Sequence, residues 1–324
     1  MKTALPRFIK RTSLPLVVCL TMTVAFLTII ATTNSSPANK FARQRTTALE
    51  PLIIVITPTY RRPTRLADMT FPGKQMRCAA CVNAHVCSHK NNASLANTLR
   101  LVPHVHWIVI EDANETVSHV EDILQRTQHD YTYVAVRTPL GYPKRGWYQR
   151  TTALQLIRNE TESVMGDHTE AVVYFGDDDN SYDTRLFTDY IRNVKKLGMW
   201  AVGIVGQSAV ESPKVVNGSV VGYNVKWGPK RKFAVDMAGF AINVKVVLNT
   251  TAVFGKSCQR GFGAPEPCLL EDMGFTQEDI QPFGLDEQEP GTEFEVLVWH
   301  TKTVNPSIGK DARNTHGFFF EFSR

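Results

Sequence analysis

Apolar positions in this chain fall into short runs separated by stretches of helical period. Residues 52–57 (LIIVIT) are uninterrupted, β-branched and short, which predicts a buried strand rather than a helix. Residues 107–110 (WIVI), 171–175 (AVVYF) and 201–205 repeat that signature, and 131–136 alternates. Within 146–159, Ala153, Leu154, Leu156 and Ile157 recur at helical spacing. Val215 and Val216, then Asn217-Gly218, then Val220 and Val221 read as a hairpin about the favoured Asn-Gly turn. Residues 294–298 predict a late strand. Early strands separated by helices imply a largely parallel sheet covered on both faces, and the hairpin implies a mixed extension. The expected fold class is α/β.

One apolar run is of another kind. Residues 14–31 are uncharged and long enough to be a minimal membrane span. Lys2, Arg7, Lys10 and Arg11 precede it and no acidic residue does. The positive-inside rule then predicts a cytoplasmic tail at 1–13, a transmembrane signal-anchor at 14–31 and a lumenal remainder. The alternative is a cleaved signal peptide, against which stand the length of the run and the want of a small-x-small site. Polar residues 32–50 read as a stem, and 51–324 as the lumenal domain. Sequons at Asn34, Asn92, Asn114, Asn159, Asn217 and Asn249 suit the same address. Hydrophobic residues at 43% and charged residues at 21% allow a substantial core. The formal charge of +5 comes without a long Lys/Arg run, which argues against a nucleic-acid partner.

In open α/β sheets ligands bind beyond the carboxyl ends of the strands. There this sequence gathers polar groups: Pro58-Thr59-Tyr60-Arg61-Arg62 after 52–57, Glu111-Asp112 after 107–110, Gly176-Asp177-Asp178-Asp179-Asn180 after 171–175, and Trp299-His300 after the late strand. Three successive carboxylates repel one another, and a divalent cation relieves that repulsion. Hard cations are held by one or two carboxylates together with substrate phosphate oxygens, and can stabilise charge on a departing nucleotide. Arg145 and Arg150 flank an expected helix N-terminus and suit phosphate or a sugar carboxylate. An inverting sugar transfer also needs a carboxylate to take the acceptor proton. Glu211, Asp236, Glu266, Glu271 and Asp272 are all candidates, and spacing does not choose among them.

Five segments in order, Ile56-Thr-Pro-Thr-Tyr60, His106-Trp-Ile-Val-Ile-Glu-Asp112, Gly176-Asp-Asp-Asp-Asn180, Val235-Asp-Met-Ala-Gly-Phe240 and Val298-Trp-His-Thr301, resemble the β-1,3-glucuronosyltransferases over roughly residues 51–305. The resemblance implies a GT-A-type nucleotide-sugar transferase fold, a UDP-glucuronic acid donor, Mn2+, inversion, a homodimer and a single-pass type II place in the Golgi membrane. It implies a galactose-ended acceptor, either the proteoglycan linkage region or an N-acetyllactosamine-type glycan. It assigns Pro58, Tyr60 and Asp112 to uridine, and Arg145, Arg150, Asp177, Asp178, Asp236, His300 and Lys302 to the rest of the donor. Asp179 becomes the metal ligand, Glu211, Trp227 and Arg231 the acceptor contacts, and Glu266, in a Glu-x-x-Leu-Leu pattern, the catalytic base. Pro265 and Pro267 beside Glu266 depart from that pattern.

Residues 71–94 have no counterpart in the family pattern, and without them 66–70 and 95–99 would join into one amphipathic helix. This insert carries Cys78-x-x-Cys81-x5-Cys87-x-His89, a set able to hold zinc, to form a disulfide with a spare thiol, or to mark a splice product without stable structure. The segment after Ile308 departs as well, which leaves acceptor preference open. Two further readings compete: a transferase of another UDP-sugar, and a lumenal glycan-binding protein that has lost turnover.

Overall fold

The computed structural model describes residues 49–70, 93–285 and 294–301, with Thr315, Phe319 and Glu321. The expected tail, membrane span and most of the stem, the Cys78, Cys81, Cys87 and His89 cluster, Asn34, Asn92 and Lys302 lie outside the described residues. Among the described residues no helix is long and apolar enough to cross a membrane. The other four sequon asparagines, Asn114, Asn159, Asn217 and Asn249, are exposed.

The chain runs β1 (Leu52–Thr59), α1 (Arg65–Thr70), β2 (Ala93–Ser94), α2 (Leu95–Leu99), β3 (Val105–Glu111), α3 (Ser118–Thr127), β4 (Asp130–Ala135), α4 (Trp147–Asn159) and α5 (Thr161–Met165). It continues with β5 (Ala171–Phe175), β6 (Asn180–Tyr182), β7 (Leu197–Met199), β8 (Val202–Val205), β9 (Ser208–Val216), β10 (Ser219–Asn224), β11 (Phe240–Asn243), α6 (Val244–Leu248), α7 (Glu266–Asp272), β12 (Ile280–Pro282) and β13 (Val298–His300).

Seven strands form the central sheet in the order β12-β7-β11-β5-β1-β3-β4. β1 is parallel to β3 and β5, β3 to β4, and β12 to β7, while β11 is antiparallel to both neighbours. The fold is thus α/β with a mixed, largely parallel sheet, as expected. β1, β3 and β5 lack polar alternation because both faces are covered. Successive side chains point to opposite faces. Ile54 and Ile56 therefore join one core with Val173, Phe175 and Leu154, while Ile53 and Val55 join another with Trp107, Val109 and Tyr174. Burying each such side chain stabilises the fold by about 1.5–3 kcal/mol.

A six-stranded sheet, β10-β9-β8-β13-β6-β2, packs beside this one. Its β9–β10 hairpin turns at Asn217 (φ 50°) and Gly218 (φ 73°), the positive-φ pair expected of an Asn-Gly turn. The strand expected at 201–205 belongs to this second sheet, and the late strand is 298–300 rather than 294–298. Only the last two residues of the expected insert, Ala93 and Ser94, are described. Ala93 and Ser94 pair with Tyr182 and Ser181, so they are structural. The Asn97 side chain donates to the Thr70 carbonyl, which brings the end of α1 against α2.

Glu111, expected at the ligand edge, is instead drawn inward. Fully buried Arg65 pairs with both Glu111 and Glu321, and the Tyr133 hydroxyl donates to Glu111 at 2.7 Å. Burial and the Glu111 charge raise Tyr133 above the usual phenol range.

Candidate active site

The carboxyl ends of β1 and β3 are in register, with Thr59 opposite Glu111, and they set Pro58, Tyr60 and Asp112 along one edge. Pro58 packs on Gly146, which caps α4 at φ +75°. The Asp112 amide donates to Thr59 O at 2.8 Å, and its carboxylate accepts from the Thr138 amide at 2.7 Å and hydroxyl at 2.8 Å. Tyr60 is exposed, with the Arg62 guanidinium 4.9 Å above its ring.

Gly176 and the end of β5 deliver the acidic triplet to the same edge, where its members become unlike. Asp178 is buried and fully engaged. Arg62 donates to both its oxygens at 3.0 and 2.8 Å, and Thr59 adds a bond at 2.7 Å. Arg62 also donates to Asp68 at 3.1 Å. Asp177 pairs with Arg150. Asp179 reaches solvent, and its carboxylate has no hydrogen-bond partner among the described residues. Desolvation by the surrounding protein, with the charges of Asp178 and Asp177, pushes it up to about 6. Among the described residues no cluster of three His, Cys, Asp or Glu is preassembled for a metal. One free carboxylate beside two neutralised ones fits a hard cation that completes its shell with phosphate oxygens and water.

Arg145 and Arg150 differ too. Arg145 is exposed, whereas Arg150 is 4% exposed, donates to Arg145 O at 3.0 Å and keeps an unpartnered buried Nε. β6 leads directly from the triplet, and its pairing with β13 sets His300 opposite Asn180. His300 donates from Nε2 to Asp236 Oδ1 at 2.9 Å, and the Ala238 amide donates to the same atom at 2.9 Å. Burial opposes the charge on His300, but the bond to Asp236 outweighs it and pushes His300 up to about 9. Burial likewise opposes ionisation of Asp236, and His300 holds it below its ordinary value.

The five candidate bases now separate. Asp272 and Glu271 pair with Arg260 at 2.6 and 3.6 Å at the far end of α7, and Asp236 is held by His300. Glu211 and Glu266 are buried, each with one oxygen unpartnered. Glu211 lies against Gly206, where an added Cβ would stand 1.9 Å from its Oε1. Burial raises its carboxyl, and Arg231 opposes the rise. Glu266, in the first turn of α7, is pushed up to about 8 by burial and the charge of Asp236, against Arg231 and Arg150. Arg231 stacks 4.6 Å over the exposed ring of Trp227 and donates to Trp227 O at 3.1 Å. Glu266, Glu211, Asp236 and Arg231 thus share one electrostatic neighbourhood, reached through Arg150 from the triplet. Arg62, which secures Asp178, is the member sequence reasoning left without a role; its position just past β1 was the available signal.

The model of Glycosyltransferase family 43 matches residues 95–304. Galactosylgalactosylxylosylprotein 3-beta-glucuronosyltransferase sqv-8 of Caenorhabditis elegans is 36% identical over 274 residues, covering 81% of this chain and 67% of that protein. Galactosylgalactosylxylosylprotein 3-beta-glucuronosyltransferase 1 of Homo sapiens is 33% identical over 275 residues, covering 81% and 72%. Among solved structures, S. aureus TarS 1-349 aligns with a TM-score of 0.43 at 12% identity, covering 77% of this chain and 60% of that one.

Proposed function

This chain belongs to glycosyltransferase family 43, and from that premise we propose that it transfers glucuronic acid from UDP-glucuronic acid to the 3-hydroxyl of a terminal galactose, as the names of its relatives describe for galactosylgalactosylxylosylprotein. The observation that carries the reading is Glu266: a buried carboxyl with one oxygen unpartnered, in the field of Asp236, Arg231 and the same Arg150 that touches the acidic triplet.

In this reading the fold is of GT-A type. Pro58, Tyr60 and Asp112 hold uridine; Arg145, Arg150, His300 and Lys302 meet the diphosphate and the glucuronate carboxylate. Asp236 orients the sugar. Asp177 and Asp178 shape the donor edge through Arg150 and Arg62. Trp227 offers an apolar face to the galactose ring, with Glu211 and Arg231 at its hydroxyls. Asp179 would hold Mn2+ against the diphosphate, where the bound ion supplies positive charge to the leaving group. Ionised Glu266 takes the proton of the acceptor hydroxyl. The oxygen forms its bond to the anomeric carbon as the bond to the phosphate oxygen breaks on the opposite face. Its electron pair leaves with UDP, and configuration inverts.

The uncharged run at 14–31 behind basic residues supports a single-pass Golgi membrane protein, and the Cys258–Cys268 disulfide supports an oxidising lumen. We further infer a homodimer from family membership. Full-length protein in detergent, given UDP-glucuronic acid with a galactosyl-galactosyl-xyloside or an N-acetyllactosamine acceptor, is expected to release UDP and glucuronylate the first. Transfer from UDP-galactose or UDP-GlcNAc instead would overturn the donor, and undiminished turnover after stringent chelation would remove the metal.

A further inference from the structure

The disulfide Cys258–Cys268 joins residues ten apart, and the loop it closes contains Glu266. α7 has seven residues, too few for stability in isolation. Its first turn is held from outside. Cys268 lies within it, two residues after Glu266, and Cys258 is buried. The loop folds tightly on that anchor. The Gly263 amide donates to Cys258 O at 2.9 Å, the Ala264 amide to Gly261 O at 2.9 Å, and the Gly261 amide to Cys258 Sγ at 3.2 Å. An added Cβ at Gly261 would stand 2.1 Å from Ala264 O. Phe262 adopts φ 53°, a left-handed conformation that costs a non-glycine residue energy and persists only where its surroundings impose it. Arg260 closes the unit by pairing with Asp272 at 2.6 Å at the other end of α7. Pro265 and Pro267 stiffen the backbone on both sides of Glu266.

We propose that Cys258 and Cys268 are positioning residues: their disulfide holds the first turn of α7 inward, so that the Glu266 carboxyl faces Asp236, Arg231 and Arg150 instead of water. The consequence for turnover rests on Glu266 being the base of the reaction proposed above. Opening the bond would let this turn fray and hydrate the carboxyl, moving its titration toward the ordinary carboxylate range.

The test compares full-length wild type, wild type mildly reduced with a phosphine, and the double variant Cys258→Ala, Cys268→Ala. In the last two, kcat is expected to fall about tenfold, part of what a positioned base supplies. Donor KM should change less than about twofold, since the donor groups are untouched. The acid limb of kcat/KM should move down by about one pH unit. The variant should be indifferent to the reductant, which assigns the effect to this bond rather than to another cysteine. Hydrogen exchange, read in the same samples, should quicken at the amides of 258–272 and nowhere else. Unchanged kcat and acid limb would overturn the proposal. So would a loss of kcat with an unmoved acid limb and faster exchange across the whole domain. If oxidised wild type transfers no glucuronic acid, the functional reading fails, while the exchange comparison still decides whether the bond holds Glu266 in place.

Discussion

At Glu266 the electrostatic cost of ionisation becomes a pH profile. A base must be deprotonated to act, and this carboxyl is pushed up to about 8. Activity is therefore expected to rise with pH through about 8 and to fall below it, read as kcat/KM against pH. Glu266→Gln keeps the shape and removes the base, so kcat should drop by about 10²–10⁴ with UDP affinity preserved. Near-normal turnover in that variant would exclude Glu266. The His300–Asp236 pair makes a second, separate prediction about stability. His300 is raised to about 9, so its contribution is complete below its ordinary 6.5 and is lost as pH climbs through 9. Asp236 is lowered, so its contribution is complete above its ordinary 3.8 and is lost as pH falls further. The difference in urea midpoint between wild type and His300→Ala should be largest between these ordinary values and shrink toward pH 9. A difference constant across that range would show that the pair carries no linkage. Sequence spacing left five carboxylates equal because what ranks them is the company they keep. Arg260 takes Glu271 and Asp272 and His300 takes Asp236 from 64 residues away, which leaves Glu211 and Glu266.

Elements were legible where they were long or wholly apolar. β1, β3 and β5 announce themselves because burial on both faces removes the polar alternation, and α4 because thirteen residues give its period room to repeat. β7, β11 and β12 hold only three or four residues, too few to display either period, and tertiary pairing alone makes them strands. Ile54→Ala empties a site packed from β5 and α4, and should cost about 2–5 kcal/mol in denaturant unfolding. Gly146→Ala tests the junction of element and site. The residue sits at φ +75°, and its Cβ would lie 2.8 Å from Pro58 and from the Arg150 guanidinium. The conformation alone costs a non-glycine residue about 1–2 kcal/mol. The displaced Arg150 should also weaken UDP binding, measured by calorimetry; unchanged affinity would separate α4 from the donor edge.

At the scale of the molecule, the sheet edges explain why residues far apart in sequence form one site, with β13 returning His300 to the strand that follows the triplet. The buried Arg65 makes a similar tie through charge, holding Glu111 and a glutamate 256 residues away. Removing one partner of such a pair strands a cation, so Glu321→Ala is expected to cost about 3–5 kcal/mol. This arrangement also orders events during synthesis. On a ribosome, Arg65 emerges long before Glu321 and must wait with half its donors unmet. A cation so placed is neutralised only when that partner arrives, so released protein carrying Glu321→Ala should stay open to proteases that the wild type resists, which makes this glutamate the latch on a domain otherwise built.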